Sequence, residues 1–180
     1  MTEVDLGGTV RRLREGQGLS LRTLASRTGF SASFLSQVEN GQASPSIASM
    51  DRIASALGVT MSQFFHGAES APTIVRADTR VQLTSEWSKA RIEGLAGDTS
   101  AGKLDAFLIT IEPGGMSGKH PYQPAREEFA MVLEGQVVLT LGSVDHALTA
   151  GDAVTILAGV GRRWHNPHET PARVLVASSR

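Results

Sequence analysis

Residues 20–40 read SLRTLASRTGFSASFLSQVEN, and this stretch decides the fold of the first third of the chain. Ser20 and Ser31 each stand directly before a short run with apolar residues at helical spacing, where a serine side chain caps the first turn. Gly29 lies between the two runs, and glycine is the common residue at the end of a helix. The stretch therefore predicts two short helices joined by a tight turn, which is the spacing of a helix-turn-helix.

The second of these helices has an apolar face, formed by Leu35 and Val38, and an opposite polar face. The polar face carries small hydroxyl and amide side chains at helical spacing: Ser33, Ser36, Gln37 and Asn40. Glutamine can pair with both edge atoms of adenine, and serine can bond to either kind of base atom. The same pattern is typical of an ordinary amphipathic helix with a solvated face, so helix spacing alone leaves both interpretations open.

Apolar residues recur at helical spacing throughout residues 1–66, which predicts five short helices ending at Phe64 and Phe65. The expected N-caps are Ser20, Ser31, Ser44 and Thr60, and the expected stops are Gly29, Gly41 and Gly58. Beyond residue 72 the apolar period falls to two, the period of strands. Six β-rich runs follow: Arg80–Thr84, Leu104–Glu112, Glu128–Glu134, Gln136–Leu141, Asp152–Leu157 and Arg173–Ala177. Short strands with close turns predict an antiparallel barrel or sandwich.

The composition limits the chemistry and the partners of this chain. It has 180 residues without any cysteine, which excludes disulfides, thiolate metal sites and cysteine nucleophiles. Net charge is −1, and residues 1–66 hold six arginines against five acids, so the helical part is only slightly basic. No stretch approaches the roughly 20 apolar residues of a membrane span. The first residues lack a signal-peptide pattern, and we therefore predict a cytoplasmic protein with no membrane partner.

Residues 6–65 closely resemble the XRE (phage-repressor-like) helix-turn-helix family. The resemblance rests on RRLR at 11–14, LSLRTLA at 19–25, SASFLSQVEN at 31–40, GQASPS at 41–46 and ALGV at 56–59. It implies that double-stranded DNA is bound, with Ala32, Ser33, Ser36 and Gln37 facing base edges and Ser20, Arg22, Asn40 and Gln42 near phosphates. It further implies phosphate contacts at the helix N-termini of Ser20 and Ser44, and a structural pair between Arg14 and Glu39.

A single unit of this kind reads only a few base pairs, and its low basic charge limits the release of counterions that drives DNA affinity. We therefore expect a homodimer. Two recognition helices would then enter major grooves about 34 Å apart, so the operator should be palindromic.

Residues 72–180 resemble the cupin family, a double-stranded β-helix or jelly-roll barrel. The resemblance rests on EPGG at 112–115, HPY at 120–122, EEFAMVLEG at 127–135, GDAV at 151–154 and NP at 166–167. In metal-binding cupins the first motif supplies two histidines, two residues apart, and a glutamate, and the second motif supplies a third histidine. The resemblances together imply a multidomain α plus all-β chain: a five-helix lambda-repressor-like domain at 1–66, a linker at 67–72 and a cupin domain at 73–180.

This chain departs from the metal-binding pattern at two positions. His120 and Glu128 match it, but Tyr122 stands where the second histidine belongs and Arg162 where the third belongs. Catalytic zinc or iron sites usually take three protein ligands, and a guanidinium repels a divalent ion. We therefore expect neither a metal nor another cofactor, and no catalytic residues.

The inward-facing set in the barrel is then expected to be His120, Tyr122, Glu128, Arg162 and Trp164, where Arg162 and Trp164 share one face of a strand. Such a charged and aromatic pocket suits a small anionic effector held by Arg162. A simple Glu128–Arg162 ion pair that replaces the metal remains an equal alternative.

The sequence therefore predicts a DNA-binding transcriptional regulator with a cupin sensor. Two alternatives stay open: a mononuclear iron oxygenase resembling hydroxypropylphosphonate epoxidase, and a constitutive regulator whose cupin only dimerises.

Overall fold

The computed structural model of the chain describes residues 5–61, 64, 74–95 and 104–179. Its first part contains four α-helices, α1 (Leu6–Gly16), α2 (Leu21–Thr28), α3 (Ala32–Glu39) and α4 (Ile47–Ala56). Their apolar faces meet in one core, in which Val10, Leu24, Leu35, Met50 and Ile53 are almost fully buried. Each helix is too short to be stable alone, so this shared core holds the helical domain together.

Side-chain caps set where the helices begin. Ser20 and Ser31 cap α2 and α3 as predicted, each accepting a hydrogen bond from a backbone N–H three residues on, and Gly29 ends α2 in the left-handed conformation. The predicted cap of α4 at Ser44 is wrong. Ser46 caps that helix, since its Oγ accepts from Ser49 N–H at 3.2 Å, which moves the start of α4 to Ile47.

The fifth predicted helix lies largely outside the described residues. Met61 and Phe64 within it are described, helical and buried. Phe64 N–H donates to the Thr60 carbonyl at 2.9 Å, the bond of a helical turn that starts at the predicted cap. The predicted linker at 67–72 also lies outside the described residues, so the domain boundaries stay predictions.

The second part of the chain forms two antiparallel sheets. One has six strands in the order β1 (Gln82–Ser85), β2 (Ala90–Gly94), β3 (Leu104–Ile111), β9 (Ala172–Ser179), β4 (Glu128–Glu134) and β7 (Ala153–Ile156). The other has three strands in the order β6 (Val144–Thr149), β5 (Gln136–Leu141) and β8 (Arg162–His165). Buried side chains from both sheets, Ile109, Val132, Val176, Leu139 and Trp164 among them, belong to the barrel core. The predicted antiparallel barrel is confirmed.

All six predicted strands are present among the described residues, together with three that the apolar pattern did not indicate: β2, β6 and β8, of which β8 was expected only as the strand that carries Arg162 and Trp164. β6 is missed because every residue but Leu148 is exposed, so it lacks the apolar alternation of a half-buried strand. β2 alternates over only five residues and carries two charged ones, Arg91 and Glu93. These strands depend on pairing with neighbours rather than on their own composition.

Candidate DNA-binding face and effector site

The polar face of α3 is open to solvent. Ser33, Gln37 and Asn40 are exposed, while Ala32 and Ser36 are partly buried. Leu35 and Val38, on the opposite face, are buried in the helical core and fix the orientation of α3. The side chains predicted to read bases therefore point away from the core, as a recognition helix requires.

The residues predicted to contact phosphates lie at the two ends of this helix pair. Arg22 is exposed in the first turn of α2, next to Ser20, whose hydroxyl accepts from Thr23 N–H at 3.1 Å. At the end of α3, Gln42 is exposed and its N–H donates to the Gln37 carbonyl at 2.8 Å. Ser20, Arg22 and Gln42 thus lie on exposed segments that flank α3. Their phosphate contacts stay a prediction.

The predicted phosphate site at the start of α4 was placed on the wrong cap residue. The N-terminus of α4 was expected at Ser44 and free for a phosphate, but Ser46 occupies the cap and is buried against the barrel. Ala48 N–H in the first turn donates to the Ser117 carbonyl of the barrel at 3.0 Å. The barrel therefore uses a backbone donor that a phosphate would need.

Glycine permits this close contact between the two domains. A Cβ on Gly118 would lie 2.9 Å from the Ala48 Cβ, closer than side chains can approach without a shift of the backbone. The absence of a side chain at Gly118 lets the barrel loop pack directly on α4.

Arg14 and Glu39 form the structural pair that the family resemblance implies. Glu39 accepts from Arg14 Nε at 2.6 Å and from Nη2 at 2.9 Å, and its side chain is only 2% exposed. The hydrogen bond to Glu39 raises the pKa of Arg14, although burial works against it. This pair joins α1 to α3, so Arg14 supports the fold of the helical domain and does not face solvent.

Glu128 and Arg162 form the central ion pair of the barrel. Arg162 donates from Nη2 to one carboxylate oxygen of Glu128 at 2.9 Å and from Nε to the other. Glu128 begins β4 in the larger sheet and Arg162 begins β8 in the smaller one, so the pair links the two sheets. Burial alone would lower the pKa of Arg162, but the Glu128 carboxylate outweighs it and the pKa is raised.

Tyr122 connects this ion pair to the helical domain. It exchanges two backbone hydrogen bonds with Arg162, at 2.8 and 2.7 Å, and its ring centre lies 5.4 Å from the Arg162 guanidinium carbon. Its hydroxyl faces the Asp51 carboxylate and the Ser55 hydroxyl on α4. Burial, with the charge of Asp51 adding to it, raises the pKa of Tyr122 well above its usual range.

Asp51 is the acid of α4 that meets the barrel. Burial raises the pKa of its carboxyl group, while the hydrogen bond from Tyr122 and the charge of Arg162 oppose that rise. Sequence reasoning missed Asp51 because nothing in the sequence distinguishes an acid that packs against a second domain from one that faces solvent. Only the packing of α4 on the barrel brings it to Tyr122.

The other members of the predicted effector set divide between two environments. Arg162 and Trp164 are both buried on one face of β8 and Arg163 is not, so the predicted parity is confirmed. His120, expected inside the barrel beside Arg162, is exposed at the rim, and that expectation is wrong. The segment before Tyr122 is a loop, so the rule that residues two apart on a strand face the same side does not apply to His120 and Tyr122.

The donor set does not fit the metal that many cupins hold. Both oxygens of Glu128 accept from Arg162, His120 lies at the surface, and a guanidinium and a phenol take the two remaining ligand positions. In the part of the chain that the structure describes, no group of three or more histidines and carboxylates is arranged to hold a metal ion.

Three clefts lined by described residues open at the boundary between the domains, and Tyr122 lines each of them. One, of about 310 Å³, contains His120, and a second, of about 230 Å³, contains Glu128 and Asp51. The third, of about 860 Å³, lies between Arg27 and Arg52 of the helical domain and Pro121 of the barrel. Neither Arg162 nor Trp164 lines these clefts. The accessible space near the predicted effector site thus lies between the domains.

Comparisons with known proteins agree with this architecture. A helix-turn-helix domain model matches residues 5–63, and a cupin domain model matches residues 107–178. The chain is 26% identical over 174 residues to the HTH-type transcriptional regulator PuuR of Escherichia coli (strain K12), covering 95% of this chain and 92% of the relative. It is 31% identical over 117 residues to the HTH-type transcriptional regulator DdrOP3 of Deinococcus deserti, covering 57% of this chain and 90% of the relative.

Solved structures share the fold over nearly the whole chain. An HTH_3 family transcriptional regulator from Vibrio cholerae superposes with a TM-score of 0.73 at 24% identity, covering 97% of this chain and 94% of that one. Hydroxypropylphosphonic acid epoxidase from S. wedmorenis superposes with a TM-score of 0.52 at 18% identity, covering 97% and 96%. At these identities the likeness concerns the fold alone, which a regulator and an enzyme share.

No helix among the described residues is long and apolar enough to cross a membrane. Two matched domains in this order, and 31% identity to a regulator that the chain covers almost entirely, decide the family. The chain belongs to the XRE-type helix-turn-helix transcriptional regulators and carries a C-terminal cupin domain.

Proposed function

We propose that this regulator binds a palindromic operator as a cytoplasmic homodimer, and that a small anionic effector on its cupin domain changes its operator affinity. The observation that carries the sensing part is the contact of α4 with the barrel. Ala48 N–H bonds to the Ser117 carbonyl, and Asp51 faces Tyr122. A change in the barrel at Tyr122 thus reaches the domain that holds α3.

The DNA-binding part rests on the exposed face of α3. Gln37 is exposed near its centre, with Ser33 one turn before it and Asn40 at its end. A single helix reads few base pairs, which supports a dimer with two half-sites. Arg22 and Ser20 at the start of α2 supply the sequence-independent phosphate contacts.

We assign no catalytic activity to the chain. The likeness to the epoxidase concerns the fold alone. Glu128, the carboxylate of the first cupin motif that an iron site would need, has both oxygens bonded to Arg162. A guanidinium beside that carboxylate opposes the binding of a divalent ion. The donor chemistry therefore favours a binding role over an oxygenase.

The constitutive alternative draws support from the same ion pair. Glu128 and Arg162 fill the usual metal position with side chains, as a barrel used only for dimerisation would allow. The two readings differ in one respect: a sensor changes operator affinity when a small molecule binds, and a dimerisation module does not.

Selection of bound DNA from a random pool tests this function directly. The full-length chain should enrich an inverted repeat whose half-site centres lie about one helical turn apart. Gln37→Ala should change the selected half-site, while Gln136→Ala, an exposed glutamine on β5, should leave it unchanged. Failure to enrich any sequence would overturn the DNA-binding assignment. Repeating the binding assay with a metabolite library distinguishes the sensor from the constitutive regulator.

A further inference from the structure

The cleft of about 310 Å³ between the helical domain and the barrel has aromatic walls from both sides. Phe30 and Phe34 line it from the helix-turn-helix, with ring centres 5.1 Å apart in an edge-to-face arrangement. Trp87 lines it from the turn between β1 and β2 and is 55% exposed. A flat apolar group entering this cleft would cover ring surface that water now contacts.

The rim of the same cleft is basic. Arg52 on α4, Lys119 and His120 line it, and no aspartate or glutamate of the described residues does. Among the described residues, none of these three side chains makes an ion pair with a carboxylate. The Arg52 guanidinium carbon lies 5.3 Å from the Phe30 ring centre, so a cation already sits against the aromatic wall.

The charges on the other side of Tyr122 are opposite. Among the described residues, the cleft of about 230 Å³ there is lined by three acidic residues, Asp51, Asp105 and Glu128, and by one basic residue, Arg126. Glu128 is already paired with Arg162, but acidic residues still outnumber the basic residue on this side, so an anion is attracted more strongly to the basic side. The Nε and Nη2 donors of Arg162 are already bonded to Glu128, so Arg162 has fewer donors left to bind an anion inside the barrel than the basic residues at the cleft rim have.

We propose that the cleft between Trp87 and the Phe30–Phe34 pair is the effector site, and that its ligand is an aromatic carboxylate. The aromatic body lies between the rings, and Arg52 and Lys119 bind the carboxylate. This inference rests on the proposed sensing function and moves the anion site from the barrel interior to the domain boundary.

This position explains how a ligand would act on DNA binding. Phe34 belongs to α3, the helix that carries Gln37, and Arg52 belongs to α4, whereas Trp87 and Lys119 belong to the barrel. A ligand that touches both domains favours one relative placement of them over others. The effector and the operator must then change each other's affinity by the same factor.

Isothermal titration calorimetry on the full-length chain tests the site with 2-naphthoate as the probe. The uncharged 2-naphthalenemethanol, which has the same rings, should bind at least about tenfold more weakly, as should acetate, which has only the charge. Arg52→Gln and Lys119→Gln should each weaken 2-naphthoate binding about tenfold, and Trp87→Leu should do the same. Lys119 is exposed, so its substitution tests the charge even if Arg52→Gln unsettles the stacked Phe30.

Arg126→Gln is the matched control, because Arg126 is exposed and lines the acidic cleft on the other side of Tyr122. Its affinity for 2-naphthoate should equal that of the wild type. Absence of binding, or binding lost in Arg126→Gln and kept in Arg52→Gln, would overturn the proposed site.

Operator affinity measured with and without 2-naphthoate separates this proposal from the proposed function. If the ligand binds through Arg52 and Trp87 but leaves operator affinity unchanged, the site stands and its sensing role fails. If another small molecule changes operator affinity equally in the wild type and in Trp87→Leu, sensing stands and the cleft is the wrong site.

Discussion

Glu39→Ala removes one half of the buried pair that joins α1 to α3. Its carboxylate accepts two hydrogen bonds from Arg14, at 2.6 and 2.9 Å, and the two side chains are 2% and 11% exposed. In the variant the Arg14 guanidinium keeps the Leu19 carbonyl at 2.8 Å and the half-exposed Glu15 at 3.2 Å. The substitution therefore leaves a mostly buried positive charge with incomplete compensation.

The expected cost follows from this geometry. Removing one partner of a buried ion pair typically costs about 3–5 kcal/mol, and the two remaining partners place this case near the lower value, at about 3 kcal/mol. Net stability of a domain is only about 5–15 kcal/mol, so the loss is a large part of it. For a domain of this size the melting temperature should fall by roughly 12 °C or more.

Urea unfolding followed by far-ultraviolet circular dichroism measures this loss in the full-length chain. Glu15→Ala is the matched control, because that carboxylate contacts the same guanidinium at 3.2 Å but is 59% exposed, and its removal should cost less than about 1 kcal/mol. Equal costs in the two variants would refute the reasoning. A Glu39→Ala protein that unfolds like the wild type but no longer binds its operator would place Glu39 in the DNA interface instead.

Four further predictions concern DNA binding, pH and metal content. Gln37→Ala should weaken operator binding by roughly 1–3 kcal/mol and relax the preference at one base pair per half-site, whereas uniform loss on all sequences would contradict base reading. Arg22→Gln should weaken binding to every sequence and lower the salt slope by about one, and an unchanged slope would remove Arg22 from the phosphate contacts. Because burial raises the pKa of Asp51 in the folded chain, the folded state favours its protonated form, and that stabilisation is lost as pH rises above the ordinary value of 3.8. The Asp51→Asn variant should therefore have a higher urea midpoint than the wild type, and this increase should be larger at about pH 7.5 than at about pH 4.5. An equal increase at both pH values would count against this. Elemental analysis should find less than one metal ion per purified chain, since both oxygens of Glu128 are bonded to an arginine; one tightly held iron, zinc or manganese ion that is lost in His120→Ala would contradict it.

Local patterns in the sequence were sufficient for the type of each domain and for the exposed polar face of α3. Ser20, Ser31 and Gly29 bound the two central helices where predicted, because caps and left-handed stops act within one turn. The exposed positions of Ser33 and Gln37 followed from helical periodicity. The alternation along β8 likewise put Arg162 and Trp164 on one buried face.

The contacts between the domains were decided by the tertiary structure alone. Ser44 was predicted as a phosphate site, yet α4 begins at Ile47 and packs its first turn on the barrel. His120 lies at the rim because a loop, with no fixed period, precedes Tyr122.

What the sequence by itself determined is the pair of domains, their order and the side chains that each helix and strand presents. What only the tertiary structure decided is that Asp51 meets Tyr122, that Glu128 uses both oxygens on Arg162, and that two oppositely charged clefts flank Tyr122. The physical reason is the separation along the sequence over which each interaction acts. Caps and periodicity act between residues a few positions apart, whereas these contacts join residues tens of positions apart, whose approach depends on how the helical domain packs against the barrel.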